Sequence, residues 1–200
     1  MARKLKAEMS KIIRNRIPLT DKELVQMTPS ELFQAAYAAL EGIRERTGKN
    51  DGTEVEMLQY TVGLKKGDAW CMAAAQTACR FVELWLGITS EMYVSGHCLT
   101  TYKNSKSCQV ASPEEGDLII YQHGDTTSGH VEGIQELGFR SLYAYTMGGN
   151  TSSGPGVNSD GDGVYYRMRS LRGQTGDMKI YGYLRPFPKA KPQSVLKADA

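Results

Sequence analysis

Apolar residues recur at helical three- and four-residue spacing in the first half of the chain and fall into short strand-like blocks after Pro113. Residues 1–27 are charged and weakly patterned, and predict one helix at most. Thr28-Pro29-Ser30-Glu31 has the form of a capping box with proline at the first helical position. Leu32, Ala35, Ala36, Ala39, Leu40 and Ile43 follow at helical spacing until Gly48, and residues 48–53 read as a loop. A second helix is expected from Trp70 to Leu86, with Asp68 as its cap and Gly87 as its stop. Its run of alanines (Ala73, Ala74, Ala75, Ala78) leaves room for another backbone to approach. The section from Ile88 to Val110 is irregular, with a short helix expected near Thr100.

Past Pro113, five strands are expected: Asp117 to Tyr121, Val131 to Leu137, Leu142 to Met147, Val164 to Met168 and Lys179 to Leu184. Turn clusters such as His123-Gly124-Asp125 and Gly148-Gly149-Asn150 separate them. Helices first and hairpin-linked strands later predict an α+β fold, with N-terminal helices packed on a C-terminal antiparallel sheet. Three parts are expected: a basic segment over 1–27, a catalytic domain over 28–187 and a frayed tail over 188–200.

Composition narrows the function classes. Lys and Arg total 24 against 22 for Asp and Glu, a net charge of +2 too small for a dedicated nucleic-acid binder. The basic residues between Arg3 and Arg16 read as a solvated end, or as attraction to an anionic polymer such as a membrane or cell wall. No run approaches the ~20 apolar residues of a transmembrane helix, and the N-terminus lacks the apolar stretch of a signal peptide. A monomer made in a cytoplasm is therefore expected, acting elsewhere only after release. The four cysteines, Cys71, Cys79, Cys98 and Cys108, match no small disulfide framework, and free thiols are the default. A Cys98–Cys108 disulfide and a zinc site from His97, Cys98, Cys108 and His123 both lack supporting spacing.

Cys71 falls near the start of the second helix, where unpaired N–H groups and the helix dipole favour a thiolate. On position alone, a core cysteine remains the plainer reading. A nucleophilic thiolate needs a base and an orienting group. His130 opens a strand after Ser128-Gly129, and Asn150 lies at the end of the next strand. Helix-borne Cys, strand-borne His and next-strand Asn follow the order of a papain-type triad. Glu132, two residues on, shares a face with His130 by strand alternation. It is placed to contact a substrate amine, to tune His130, or to reach solvent at a cleft rim. Trp70 stands beside the nucleophile as a candidate wall of the substrate cleft.

Several motifs then fall into order. Gly67-Asp68-Ala69-Trp70-Cys71-Met72-Ala73-Ala74 resembles the Gly-x-x-Trp-Cys-Ala-Ala signature of the CHAP family, the cysteine, histidine-dependent amidohydrolases/peptidases. Pro113 to Ile120 resembles its Pro-x-x-Gly-Asp segment, and Ser128-Gly129-His130-Val131 its Gly-His-Val. Met147 to Thr151 is similar to its Glu-Gly-Asn-Thr element, and Gly163 to Leu171 to the hairpin that follows. The resemblance runs from about residue 30 to 187. It implies a papain-like fold and hydrolysis of an amide bond in bacterial peptidoglycan, as in a phage endolysin, with Cys71, His130 and Asn150 catalytic and no cofactor. An antibacterial effector with the same chemistry, or a non-catalytic phage structural protein, is the alternative. One departure stands out: the family often has a glutamate two residues before the asparagine, where this chain has Gly148. Finally, Asn158-x-Asp160-x-Asp162-Gly163 opens like a calcium loop, but Arg169 stands at its twelfth position.

Overall fold

The computed structural model describes residues 2–152 and 161–188. The frayed tail expected beyond 188 lies outside the described residues. Six α-helices precede the main strands: α1 (Ala2–Arg16), α2 (Asp21–Leu24), α3 (Pro29–Ala38), α4 (Thr53–Thr61), α5 (Cys71–Leu86) and α6 (Cys98–Asn104). The strands are β1 (Gln109–Val110), β2 (Leu118–His123), β3 (Gly129–Leu137), β4 (Tyr143–Thr151), β5 (Gly163–Ser170), β6 (Gln174–Thr175) and β7 (Met178–Leu184). They form one antiparallel sheet in the order β1-β7-β2-β3-β4-β5, with β6 on β7. The expected α+β class is therefore observed.

Local chemistry accounts for several elements. Thr28 caps α3, its hydroxyl accepting from Glu31 N–H while the Glu31 carboxylate accepts from Thr28 N–H, with Pro29 at the first turn. Gly87, left-handed at φ 66°, ends α5. Period-two alternation sorts β2 onto two faces. Leu118 and Ile120 join the main core under the helices, whereas Ile119 and Tyr121 join a smaller cluster with Ile134, Ala144 and Met178.

Three expectations change. Residues 1–27 are not an appendage, because Met9, Ile13 and Leu24 are fully buried in the main core. Met9, Ile13 and Ile17 lie four apart on one stripe, a signal obscured by the lysines and arginines around them. Helix α4 forms where no element was assigned. Asp68 does not cap α5; its carboxylate accepts from Lys65 N–H, and α5 begins with Trp70 at its cap and no side-chain cap bond. Cys71 is thus the first residue of the helix.

The alanine face of α5 does admit a backbone. A side-chain carbon on Gly149 of β4 would come within 2.7 Å of Ala74 Cβ and 3.1 Å of the Trp70 ring. That close approach brings the helix start beside strands β3 and β4.

Candidate active site

Cys71 and His130 meet at the floor of a cleft of about 710 Å³. Asp68 and Ala69 before α5, Gly96 to Cys98 before and at the start of α6, and the β2–β3 turn form its walls. The first helical hydrogen bond of α5 runs from Ala74 N–H to Trp70 O, so the N–H groups of residues 71–73 precede the helical ladder. They supply the positive end of the helix at the Cys71 sulfur.

Three interactions set the charge of this sulfur. A hydrogen bond with Cys98 and one with His130 favour the thiolate, burial opposes it, and together they hold the Cys71 thiol well below its ordinary value. For His130, burial favours the neutral ring, but bonds to Cys71 and Glu132 outweigh it and raise the imidazole to about 9. The His130 Nε2 lies 3.2 Å from Glu132 Oε1. Its other ring nitrogen is therefore left for Cys71. Both shifts favour a thiolate–imidazolium pair over the neutral thiol and imidazole.

Glu132 is the acidic neighbour of His130. It is fully buried, and burial alone would neutralise it. Arg169 Nε and Nη2 donate to its two oxygens at 2.8 and 2.5 Å, and Thr146 Oγ1 donates at 2.7 Å. These bonds, with His130, hold the carboxyl far below the usual carboxylate range. Cys71, His130, Glu132 and Arg169 thus form a buried chain whose contacts favour alternating negative and positive charge. Of the three roles open to Glu132 in sequence, tuning His130 is the one its contacts fit.

Asn150 makes no hydrogen bond to His130. In the amide orientation that satisfies its neighbours, its nitrogen donates to Gly161 O at 2.8 Å, Glu45 Oε1 at 3.2 Å and Asn50 Oδ1 at 3.1 Å. The reason is backbone geometry. Asn150 has φ 52°, inside a register break between Gly148 and Thr151, so strand alternation no longer sets its direction. It lines the cleft but ties β4 to the loop before α4. Replacing Asn150 with glycine, which keeps the left-handed backbone, should therefore leave the Cys71 alkylation rate within a few-fold of wild type. A loss as large as that of a Glu132 variant would restore Asn150 to the triad.

The other candidates also move. Trp70 is fully buried, and its Nε1 donates to Glu45 Oε1 at 2.9 Å, so it anchors the nucleophile's turn instead of walling the cleft. Glu132, equally buried, is out of reach of substrate. Asn158 and Asp160 lie outside the described residues. Asp162 Oδ1 accepts from Tyr165 Oη at 3.0 Å. All four cysteines are free thiols, and Cys98 lies against Cys71.

Gly148 has a physical explanation. A side-chain carbon there would lie 2.8 Å from Glu132 Cγ and 3.1 Å from its Oε1. The Glu132 carboxylate fills the space into which a residue at 148 would project. Thr146 and Glu45 were not singled out in sequence, and Arg169 and Cys98 were weighed there only against metal and disulfide roles. Thr146 carried one available signal, a polar side chain inside an expected strand, whereas Arg169 fell one residue past the strand expected to end at Met168. Gln59 was also missed; its side chain bonds the carbonyls of Asn50 and Asp68, fixing the approach to Cys71.

A second cavity of about 310 Å³, lined by Gln76, Cys79, Glu83 and Met92, has no base paired with its thiol; burial pushes Cys79 up. Comparison with known protein families, with curated proteins and with solved structures returns no match.

Proposed function

We propose that the chain is a cysteine amidase or peptidase that hydrolyses an amide bond of bacterial peptidoglycan, in the manner of an endolysin. The observation that carries the enzymatic reading is the buried Cys71–His130–Glu132–Arg169 chain. A purely structural protein gains nothing from a thiol held as thiolate at the floor of an open cleft, and burying four charges is costly. The substrate class rests on the ordered motifs that resemble the CHAP family, of which the Gly67 to Cys71, Gly129-His130 and Asn150 elements converge on this cleft.

The chemistry follows from the geometry. The Cys71 thiolate attacks the amide carbon, and its sulfur–carbon bond forms as the carbonyl becomes an oxyanion. N–H groups at the start of α5 are placed to receive that oxyanion. The carbon–nitrogen bond breaks as the His130 imidazolium gives its proton to the departing amine. Neutral His130 then takes a proton from water, whose oxygen attacks the thioester. The acid product leaves and the thiolate–imidazolium pair is restored. Glu132 holds the ring and stabilises its charge; it does not take the proton.

Purified peptidoglycan sacculi test this reading. The protein should lower their turbidity, and protein alkylated at Cys71 beforehand should not. Mass spectrometry of the released fragments assigns the bond. Free muramic lactyl carboxyl with a new peptide N-terminus marks an amidase, and a cut within the peptides marks an endopeptidase. Intact sacculi beside a rapidly alkylated Cys71 would overturn the cell-wall substrate while keeping a thiol enzyme. No helix among the described residues is long and apolar enough to cross a membrane.

A further inference from the structure

The nucleophile has a second thiol beside it. Cys98 Sγ lies 3.5 Å from Cys71 Sγ. Cys98 is the first residue of α6, and both cysteines line the same cleft. Gly129 lets the strand pass close to this pair: a Cβ there would lie 2.6 Å from Tyr121 O and 3.2 Å from Cys98 Cβ. A disulfide needs a sulfur–sulfur distance near 2.05 Å, so closing the pair takes a movement of roughly 1.5 Å, within the reach of side-chain rotation.

The two thiols differ in character. Cys71 sits at a helix start against an imidazolium, while Cys98 has no base of its own and its thiol is pushed up by Cys71 and by burial. One is a nucleophile and its neighbour a protonated thiol, the arrangement that lets a sulfenic acid be captured before further oxidation. Amide hydrolysis draws on Cys98 only for its hydrogen bond to the Cys71 sulfur, which a serine hydroxyl could also give.

We propose that Cys71 and Cys98 form a peroxide-sensitive modification site, in which Cys98 is the resolving thiol. The Cys71 thiolate attacks one oxygen of hydrogen peroxide. A sulfur–oxygen bond forms, the O–O bond breaks, and the hydroxide leaves as water with the His130 proton. The Cys98 sulfur then attacks the Cys71 sulfenic sulfur. The S–S bond forms, the S–O bond breaks, and the departing hydroxide takes the Cys98 proton as a second water. Peroxide gains two electrons, one from each cysteine. A dithiol reductant returns both thiols. The consequence for activity rests on the amidase reading, since the disulfide removes that enzyme's nucleophile; the cross-link itself does not.

The test uses the whole chain treated with hydrogen peroxide and mapped under non-reducing conditions. Wild-type protein should lose about 2 Da, two hydrogens, and yield one peptide pair joined through Cys71 and Cys98. Dithiothreitol should then restore sacculus turnover to its starting rate, or the Cys71 alkylation rate if sacculi are not cleaved. Cys98→Ser and Cys98→Ala, each compared with its own untreated rate, should form no cross-link, accumulate sulfinic or sulfonic acid at Cys71, and fail to recover. Wild-type Cys71 found overoxidised while Cys98 still alkylates would overturn the proposal without variants. So would recovery of both Cys98 variants as complete as wild type. Failure of turbidity loss alone would count against the substrate, not the thiol pair.

Discussion

Replacing Glu132 with glutamine is expected to cost nearly as much turnover as removing the Cys71 sulfur. The side chain keeps its size but loses the charge that raises His130 to about 9. With a neutral amide beside Nε2, the imidazolium is less favoured, the thiolate loses its counter-ion, and both members of the pair revert toward neutral forms. A drop of roughly 10³- to 10⁴-fold at neutral pH is expected, the scale seen when the orienting carboxylate of a triad is neutralised. The pH profile separates this from a folding defect. In the wild type, activity should fall as pH rises through about 9, where His130 gives up its proton. In Glu132→Gln that limb should move to lower pH, because the carboxylate that raises the imidazole is gone. A loss under about tenfold with the alkaline limb unmoved would assign the orienting role elsewhere.

The second large effect falls on stability. Arg169 makes two hydrogen bonds to the buried Glu132 carboxylate and lies on β5, away from the cleft lining. Arg169→Leu leaves that carboxylate with His130 and Thr146 only. Breaking one side of a buried ion pair costs about 3–5 kcal/mol, which for a domain of this size lowers the melting temperature on the order of 10 °C. The sign with pH follows. Without Arg169, burial raises the Glu132 carboxyl, so the folded variant binds a proton more readily than wild type. Its deficit should therefore shrink as pH falls and be largest above neutrality. Paired thermal melts across pH measure this. An Arg169→Leu protein as stable as wild type at pH 8 would show that the pair contributes nothing to the fold.

Strand alternation could place Glu132 beside His130 but could not join it to Arg169. Alternation puts Glu132 on the face of His130, and the structure agrees. It cannot say that Arg169, 37 residues later, reaches the same carboxylate, because that contact depends on the register of β3 to β4 and of β4 to β5. The assignment of Asn150 fails for a related reason. Alternation holds only while the ladder is regular, and the break after Gly148 turns Asn150 toward Glu45.

The sequence by itself determined the layout. Capping boxes, helical stripes and period-two strands are local codes, read from neighbours a few residues apart, and they placed α3, α5 and the five main strands and set Cys71 at a helix start with His130 opening a strand. Only the tertiary structure decided what those residues are to one another. It buried the basic N-terminal segment through Met9 and Ile13, set Glu132, held by Arg169, rather than Asn150 against His130, and set Cys98 beside Cys71. Each of these is a contact between residues distant in the chain or an outcome of strand register. Charge compensation in a buried site is settled by which groups arrive there, and local pattern carries no record of arrival.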